Sequence, residues 1–269
     1  MRKIKKAMSV PHIWMYLVPL CIVLISCRFF QINIQALEQM RGEEIGLSVA
    51  DYVVEFYKGE LPYERSAQQP FNIPALWSLY FIYFFAVTGK RISSSFSKYQ
   101  QQILLRKKTR GHWWMSCMGG VFLESAVFLA VSLLGFLIFG FFSGAEINGI
   151  NTELQWEYNG LMLEGINTAG LVLELAGLSL VVMNAIASVQ CVLSVKVNAV
   201  AGFIVPVAVL VSSVFLRSPF LIFNHLMLLR YERFAGSGVN AGQCLAVCIP
   251  LTAVVLYIGG RIIEKKDFF

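Results

Sequence analysis

Charge is scarce in this sequence. Only 14% of its 269 residues are Asp, Glu, Lys or Arg, against about a quarter in soluble domains, and 57% are hydrophobic. The motifs of common chemistry are missing as well. No G-x-x-x-x-G-K-[ST] loop occurs: Gly89-Lys90-Arg91-Ile92 has neither the earlier glycine nor a hydroxyl after the lysine, so the chain alone is not expected to hydrolyse ATP. The histidines, His12, His112 and His225, stand in three different segments, which argues against a zinc site. Glu43-Glu44 falls in a polar stretch rather than an apolar one, and no serine-hydrolase elbow is present. All six cysteines (Cys21, Cys27, Cys117, Cys191, Cys244 and Cys248) lie in or beside apolar runs, so they read as small apolar residues and not as a loop disulfide framework. An enzyme reading is weak on these grounds, and no catalytic residue, metal or cofactor is expected on this chain.

What the sequence has instead is length in its apolar runs. A hydrocarbon layer about 30 Å thick takes roughly 20 apolar residues per helical crossing. Six runs meet or approach that length: 12–30, 73–89, 114–142, 165–194, 197–216 and 241–260. They predict an all-α polytopic membrane protein, a single domain over residues 1–269 with six transmembrane helices. Asn72 and Pro74 suit the start of the second helix. Pro19, Pro206 and Pro250 fall inside spans, where kinks are expected.

The net charge of +6 follows membrane sidedness rather than nucleic-acid binding. Arg2, Lys3, Lys5 and Lys6 precede the first run, and Lys90, Arg91, Lys98, Arg106, Lys107, Lys108 and Arg110 separate the second from the third without an acidic residue. With Lys196, Arg261, Lys265 and Lys266, fifteen of the 22 basic residues fall on one side, which predicts both termini in the cytoplasm. The opposite loops hold Glu38, Glu43, Glu44, Asp51, Glu55, Glu60 and Glu64, then Glu146, Glu153 and Glu157; the last outer loop, with Arg217, Arg230 and Arg233, is the exception. The N-terminus also resembles a signal peptide, with Leu24-Ile25-Ser26-Cys27 matching a lipoprotein-type box, but the apolar stretch continues through Phe30 and reads as a retained first helix.

Two segments between runs carry a helical pattern. In the 31–72 extracytoplasmic loop, Val49, Tyr52, Val53, Phe56 and Tyr57 recur at helical spacing behind a Ser48/Asp51 capping box. This helix is expected on the membrane surface or over the outer mouth, or as a structured linker. In the cytoplasmic segment 90–113, Phe96, Tyr99 and Ile103 mark one face of a basic amphipathic helix, suited either to anionic lipid or to a cytosolic protein groove. Trp113 and Trp114 are expected to anchor the third span at the interface. Within spans, Glu124 and Glu174 must face the bundle, bind a partner group or be protonated. Gly170, Glu174, Gly177, Asn184, Ser188 and Cys191 form one stripe of small and polar residues on the fourth helix, either packing glue between helices or subunits or the lining of a transport path. Glu124, one turn after Gly120, leaves the same alternatives.

The stretch Lys98-Tyr-Gln-Gln-Gln-Ile-Leu-Leu-Arg-Lys-Lys-Thr-Arg-Gly-His-Trp-Trp and the charged C-terminus Gly260-Arg-Ile-Ile-Glu-Lys-Lys-Asp-Phe-Phe resemble those of ABC-2-type transporter permeases, and the likeness in layout covers nearly the whole chain. The resemblance implies a multi-pass subunit of the bacterial cytoplasmic membrane that exports a hydrophobic or amphipathic substrate such as an antimicrobial peptide. It implies a cytosolic ATPase partner carrying ATP and magnesium, and a second permease subunit, identical or sister. Gln102, Leu105, Arg106, Lys107, Thr109 and Arg110 would form the coupling helix. Ser218 to Leu229 resembles the family's re-entrant hairpin, or reads as an interfacial loop. The long outer loop and the short stretch before the first span depart from the family pattern. Set against this reading are a membrane scaffold or sensor that recruits a cytosolic partner and, third, an intramembrane enzyme.

Overall fold

The computed structural model describes residues 14–63, 72–95, 110–235 and 238–265. Nine helices form there: α1 (Trp14–Arg41), α2 (Val49–Tyr57), α3 (Ala75–Ser95), α4 (Arg110–Ser143), α5 (Thr152–Asn159), α6 (Thr168–Lys196), α7 (Ala199–Phe215), α8 (Glu232–Ala235) and α9 (Ala241–Lys265). Two 3-10 turns, Ile222–Leu226 and Leu228–Arg230, precede α8. No strand occurs among the described residues; two isolated bridges pair Ser48 with Glu146 and Tyr231 with Val239.

Four of these helices, α1, α4, α6 and α9, are long and apolar enough to cross a membrane. Of the six expected spans, these four meet that length. Helices do form at the second and fifth runs, but the apolar part of α3 ends at Lys90 and Arg91, and α7 has only 17 residues. The first helix also outruns its predicted end at residue 30 and continues to Arg41, so the segment 31–72 opens with helix. The prolines lie inside α1, α7 and α9 as expected.

Side-chain caps start several helices. The carbonyl oxygens of Asn151, Asn167 and Asn198 accept from the backbone N–H groups of Leu154, Gly170 and Ala201, which satisfies donors that have no intrahelical partner. Because the Asn198 cap follows Lys196 almost directly, α7 folds back antiparallel on α6. Helix α6 lies at the centre and touches α2, α3, α4, α7 and α9. The bundle therefore has a termini end, where α1 begins, α3 ends, α4 begins and α9 ends, and an opposite, capped end formed by α2, α5, α8 and the 3-10 turns.

Candidate functional site

At the termini end, three helices meet on one carboxylate. Glu124 of α4 is buried, with Oε1 accepting a 2.5 Å hydrogen bond from the Tyr16 hydroxyl of α1 and Oε2 paired with the Arg91 guanidinium of α3. Gly120 creates the room for this pair: a Cβ there would stand 2.6 Å from Arg91 Nη2. An unpaired carboxylate in hydrocarbon costs roughly 2.5 kcal/mol or more, and here a cation and a hydroxyl remove that cost. The length of α4 is informative too. At 1.5 Å per residue α4 is about 51 Å long, and the part from Glu124 to Ser143 accounts for about 29 Å, close to the hydrocarbon thickness. The stretch from the junction to Ser143 is thus by itself about as long as the layer is thick, and the start of α4 extends past the junction.

That projecting part leans on α9. Arg110 Nη1 donates to the Glu264 carbonyl (2.9 Å), and Trp114 Nε1 donates to the Leu256 carbonyl (3.0 Å). The Trp114 ring fills the space above Gly259, so any Cβ there would overlap it. Trp113 and Trp114 are both buried, which corrects their expected role as interfacial anchors. An aromatic belt and a buried tryptophan pair have the same local sequence; for Trp114 the difference is made by Gly259, 145 residues away.

At the capped end, two connections fill the bundle. Helix α2 begins with the predicted capping box: Ser48 Oγ accepts from Asp51 N, and Asp51 Oδ2 accepts from Ser48 N (2.9 Å). Apart from Glu55, its residues are buried, so α2 is a plug inserted among α1, α4 and α6 and does not lie on a membrane surface. Phe56 meets Tyr80 and Phe136 edge-to-face at 5.4 and 5.6 Å, and Tyr57 receives the Ser179 hydroxyl at 3.0 Å. Asp51 also accepts from Gln155 Nε2 (2.9 Å) and from Asn151 N, so the same carboxylate holds α5 over the plug.

The second connection is the stretch Ser218 to Leu229, which enters the bundle rather than lying at an interface: Phe223 packs against Trp77, Phe81 and Phe85. The two insertions touch where Leu229 N donates to the Lys58 carbonyl and where Met227 packs on Gly59, whose φ of +68° and missing Cβ allow the approach. Fully buried Arg230 ties them to α7. Its Nε donates to the Glu60 carbonyl (2.8 Å), and its Nη groups donate to the carbonyls of Ser213, Val214 and Leu216 and to Asn224. A cation at a helix C-terminus is favourable. Burial pushes the Arg230 pKa down to about 10, with the Glu60 carboxylate opposing the shift, so it stays charged near neutrality. Burial also raises the Glu60 pKa and lowers that of His225, whose Nε2 sits 2.9 Å from the Pro219 carbonyl.

Of the residues singled out from the sequence, Gln102, Leu105, Arg106, Lys107 and Thr109 lie outside the described residues, as do Phe96, Lys98, Tyr99 and Ile103. Arg110 opens α4. On α6 the stripe divides: Gly170 and Gly177 are exposed, Glu174 and Asn184 half-buried, Ser188 and Cys191 buried. Glu174 lies near the capped end and borders a surface cavity, far along the chain from Glu124. Sequence reasoning missed Tyr16, Arg91 and Arg230. The one signal available was Gly120, a small residue one turn before a carboxylate, which leaves room for a long basic side chain.

A family model matches residues 20–269, and it is not that of the ABC-2-type permeases; the resemblance drawn from the basic stretch and the charged C-terminus is overturned by this match. Layout was the weak basis of that resemblance, because alternating basic and acidic loops and apolar runs are what a bilayer demands of polytopic proteins in general. No curated protein and no solved structure shows a significant match to the chain. With nearly all of its length matched, the chain belongs to DUF2705, a family of proteins of unknown function.

Proposed function

We propose that this protein is the multi-pass subunit of a transport assembly in a bacterial cytoplasmic membrane, driven from the cytosol by a separate nucleotide-hydrolysing protein that grips residues 96–110. The observation that carries this reading is the anchoring of both ends of that basic segment. On one side Arg91 is held by Glu124, whose other oxygen accepts from Tyr16; on the other, Arg110 and Trp114 are held by α9. A force on the segment therefore reaches α1, α3, α4 and α9 together. The basic residues at the termini end favour a cytoplasmic location for it, and α3 and α7 complete six crossings in which polar backbone is satisfied within each helix. With few charged side chains along the interior, the cargo is hydrophobic or amphipathic. The exposed Gly170 and Gly177 offer a face for a second permease subunit.

The test is affinity purification of the full chain from its native membrane. A nucleotide-hydrolysing protein should co-purify, and Arg106→Glu with Lys107→Glu should release it while the bundle stays folded. Retention of that protein by the double variant would sink the assignment of the segment.

A second reading, a scaffold that recruits a cytosolic partner without transport, draws support from the two insertions that fill the capped end. In that case the partner that co-purifies would lack nucleotide hydrolysis.

A further inference from the structure

At the capped end, outside the plug, an open cavity of about 730 Å³ lies between α5, the connection that follows it and α8. Glu153, Trp156, Met162, Glu164 and Arg233 are among its lining residues. Across Arg233 it adjoins a second cavity of about 390 Å³ bordered by Glu174, Tyr231, Glu232 and Asn240. Four carboxylates thus face one basic group, and among the described residues none of the four is in an ion pair. Trp156 and Met162 are 53% and 60% exposed at its wall, a large apolar area to leave beside carboxylates.

We propose that this double cavity binds a small organic cation with an apolar or aromatic body. Each of its two parts, about 730 and 390 Å³, falls within the range of small-molecule sites, about 300–1,000 Å³. Carboxylates around a concave, low-dielectric wall concentrate negative potential, and a tryptophan face attracts a cation through its quadrupole. Met162 supplies a polarisable surface that adapts to the shape of the apolar part. Arg233 separates the cavities and repels a charge placed at the divide, so the cationic centre sits by Glu153 and Glu164. This site is independent of the proposed cytosolic partner.

Tetraphenylphosphonium and its anionic isostere tetraphenylborate provide the test, titrated against the full-length protein in nanodiscs of phosphatidylcholine, with empty nanodiscs subtracted. The phosphonium should bind saturably, and its affinity should fall at least tenfold in the doubly substituted Glu153→Gln, Glu164→Gln protein and severalfold in Trp156→Leu. Raised ionic strength should weaken it. All three side chains are exposed, so melting temperatures of the variants should match the wild type and report folding separately. Equal saturable binding of tetraphenylborate, equal affinity in the double variant, or only the uptake seen with empty nanodiscs would each overturn the proposal.

Discussion

The Arg91 guanidinium occupies the space over Gly120 that a side chain would fill, 2.6 Å from where its Cβ would stand, and from there reaches Glu124 one turn further along α4. Glycine inside a helix costs roughly 0.5–1 kcal/mol relative to alanine, so its presence here reflects the room it gives. Gly119, the preceding residue, has nothing within 4 Å of its own Cβ position. The neighbouring glycines thus make opposite predictions. Gly120→Ala should displace Arg91 and lower stability by about 1–3 kcal/mol, below the roughly 3–5 kcal/mol of breaking a fully buried pair because Arg91 is partly exposed. Gly119→Ala should be neutral or stabilising by about 0.5 kcal/mol. Thermal melts of the two proteins in the same detergent check the contrast; equal effects would mean that Gly120 does not serve the ion pair.

A similar contrast holds on α9. Gly259 lies under the Trp114 ring, a rigid group whose Nε1 is already committed to the Leu256 carbonyl, whereas a Cβ on Gly260 would meet Trp114 Cδ1 at an ordinary 3.7 Å. Gly259→Ala should cost about 1–3 kcal/mol by overpacking, and Gly260→Ala should be tolerated. Tryptophan fluorescence gives a second readout, since a displaced Trp114 would gain exposure in the first variant alone.

What the sequence revealed and what it hid separate along contact distance. The Ser48/Asp51 box spans three residues and was legible, as were the helices of the apolar runs, whose evidence is local composition. The burial of α2 was not legible, because an amphipathic nine-residue pattern fits a membrane surface as well as a socket of aromatic side chains. The second task of Asp51 depends on Gln155, 104 residues later, and Arg230 reaches Glu60 across 170. Arg91 and Glu124 each looked like a separate feature, one a mark of sidedness and the other an isolated intramembrane acid. Only the fold shows that they are one unit.

The buried His225 gives a pH signature. Burial lowers its pKa below the ordinary value, so the folded chain favours the neutral ring. Its contribution to stability is then complete above about pH 6.5, where the unfolded chain is also neutral, and declines as pH falls below that value because the unfolded state takes up the proton first. Glu60, with a raised pKa, acts in the opposite sense and is common to both proteins when wild type is compared with His225→Gln. Between pH 7.5 and 5.5 the wild type should lose more melting temperature than the variant. Parallel losses would show that His225 is not held neutral.

Arg230 should resist conservative replacement. Its guanidinium donates to carbonyls of Ser213, Val214, Leu216 and Glu60 from a fixed planar fork, and a lysine ammonium has one point of origin for its donors. Arg230→Lys should therefore leave several buried carbonyls unpaired, at about 1–3 kcal/mol for each lost partner. Hydrogen exchange should quicken at the C-terminal turn of α7 and in Ile222–Leu226 together, since one side chain holds both. Unchanged exchange at either place would mean that backbone packing alone secures it.

Asp51 provides the test of whether α2 and α5 form one cap. Its carboxylate holds the N–H and hydroxyl of Ser48, the N–H of Asn151 and the Gln155 amide, and Gln155 in turn accepts from Asn159, whose oxygen receives Lys58 Nζ at 3.1 Å. Removing it with Asp51→Ala loses the carboxylate half of the α2 capping box, while Ser48 Oγ keeps the backbone N–H of residue 51, and leaves buried donors unmet, for a total of about 2–4 kcal/mol. Asp51→Asn keeps one acceptor oxygen and should fall between. The diagnostic outcome is spatial: protease cleavage near Thr152–Asn159 should accelerate in Asp51→Ala although that helix is about a hundred residues away in sequence. A variant that loses stability without exposing α5 would show two separate elements that merely share a neighbour.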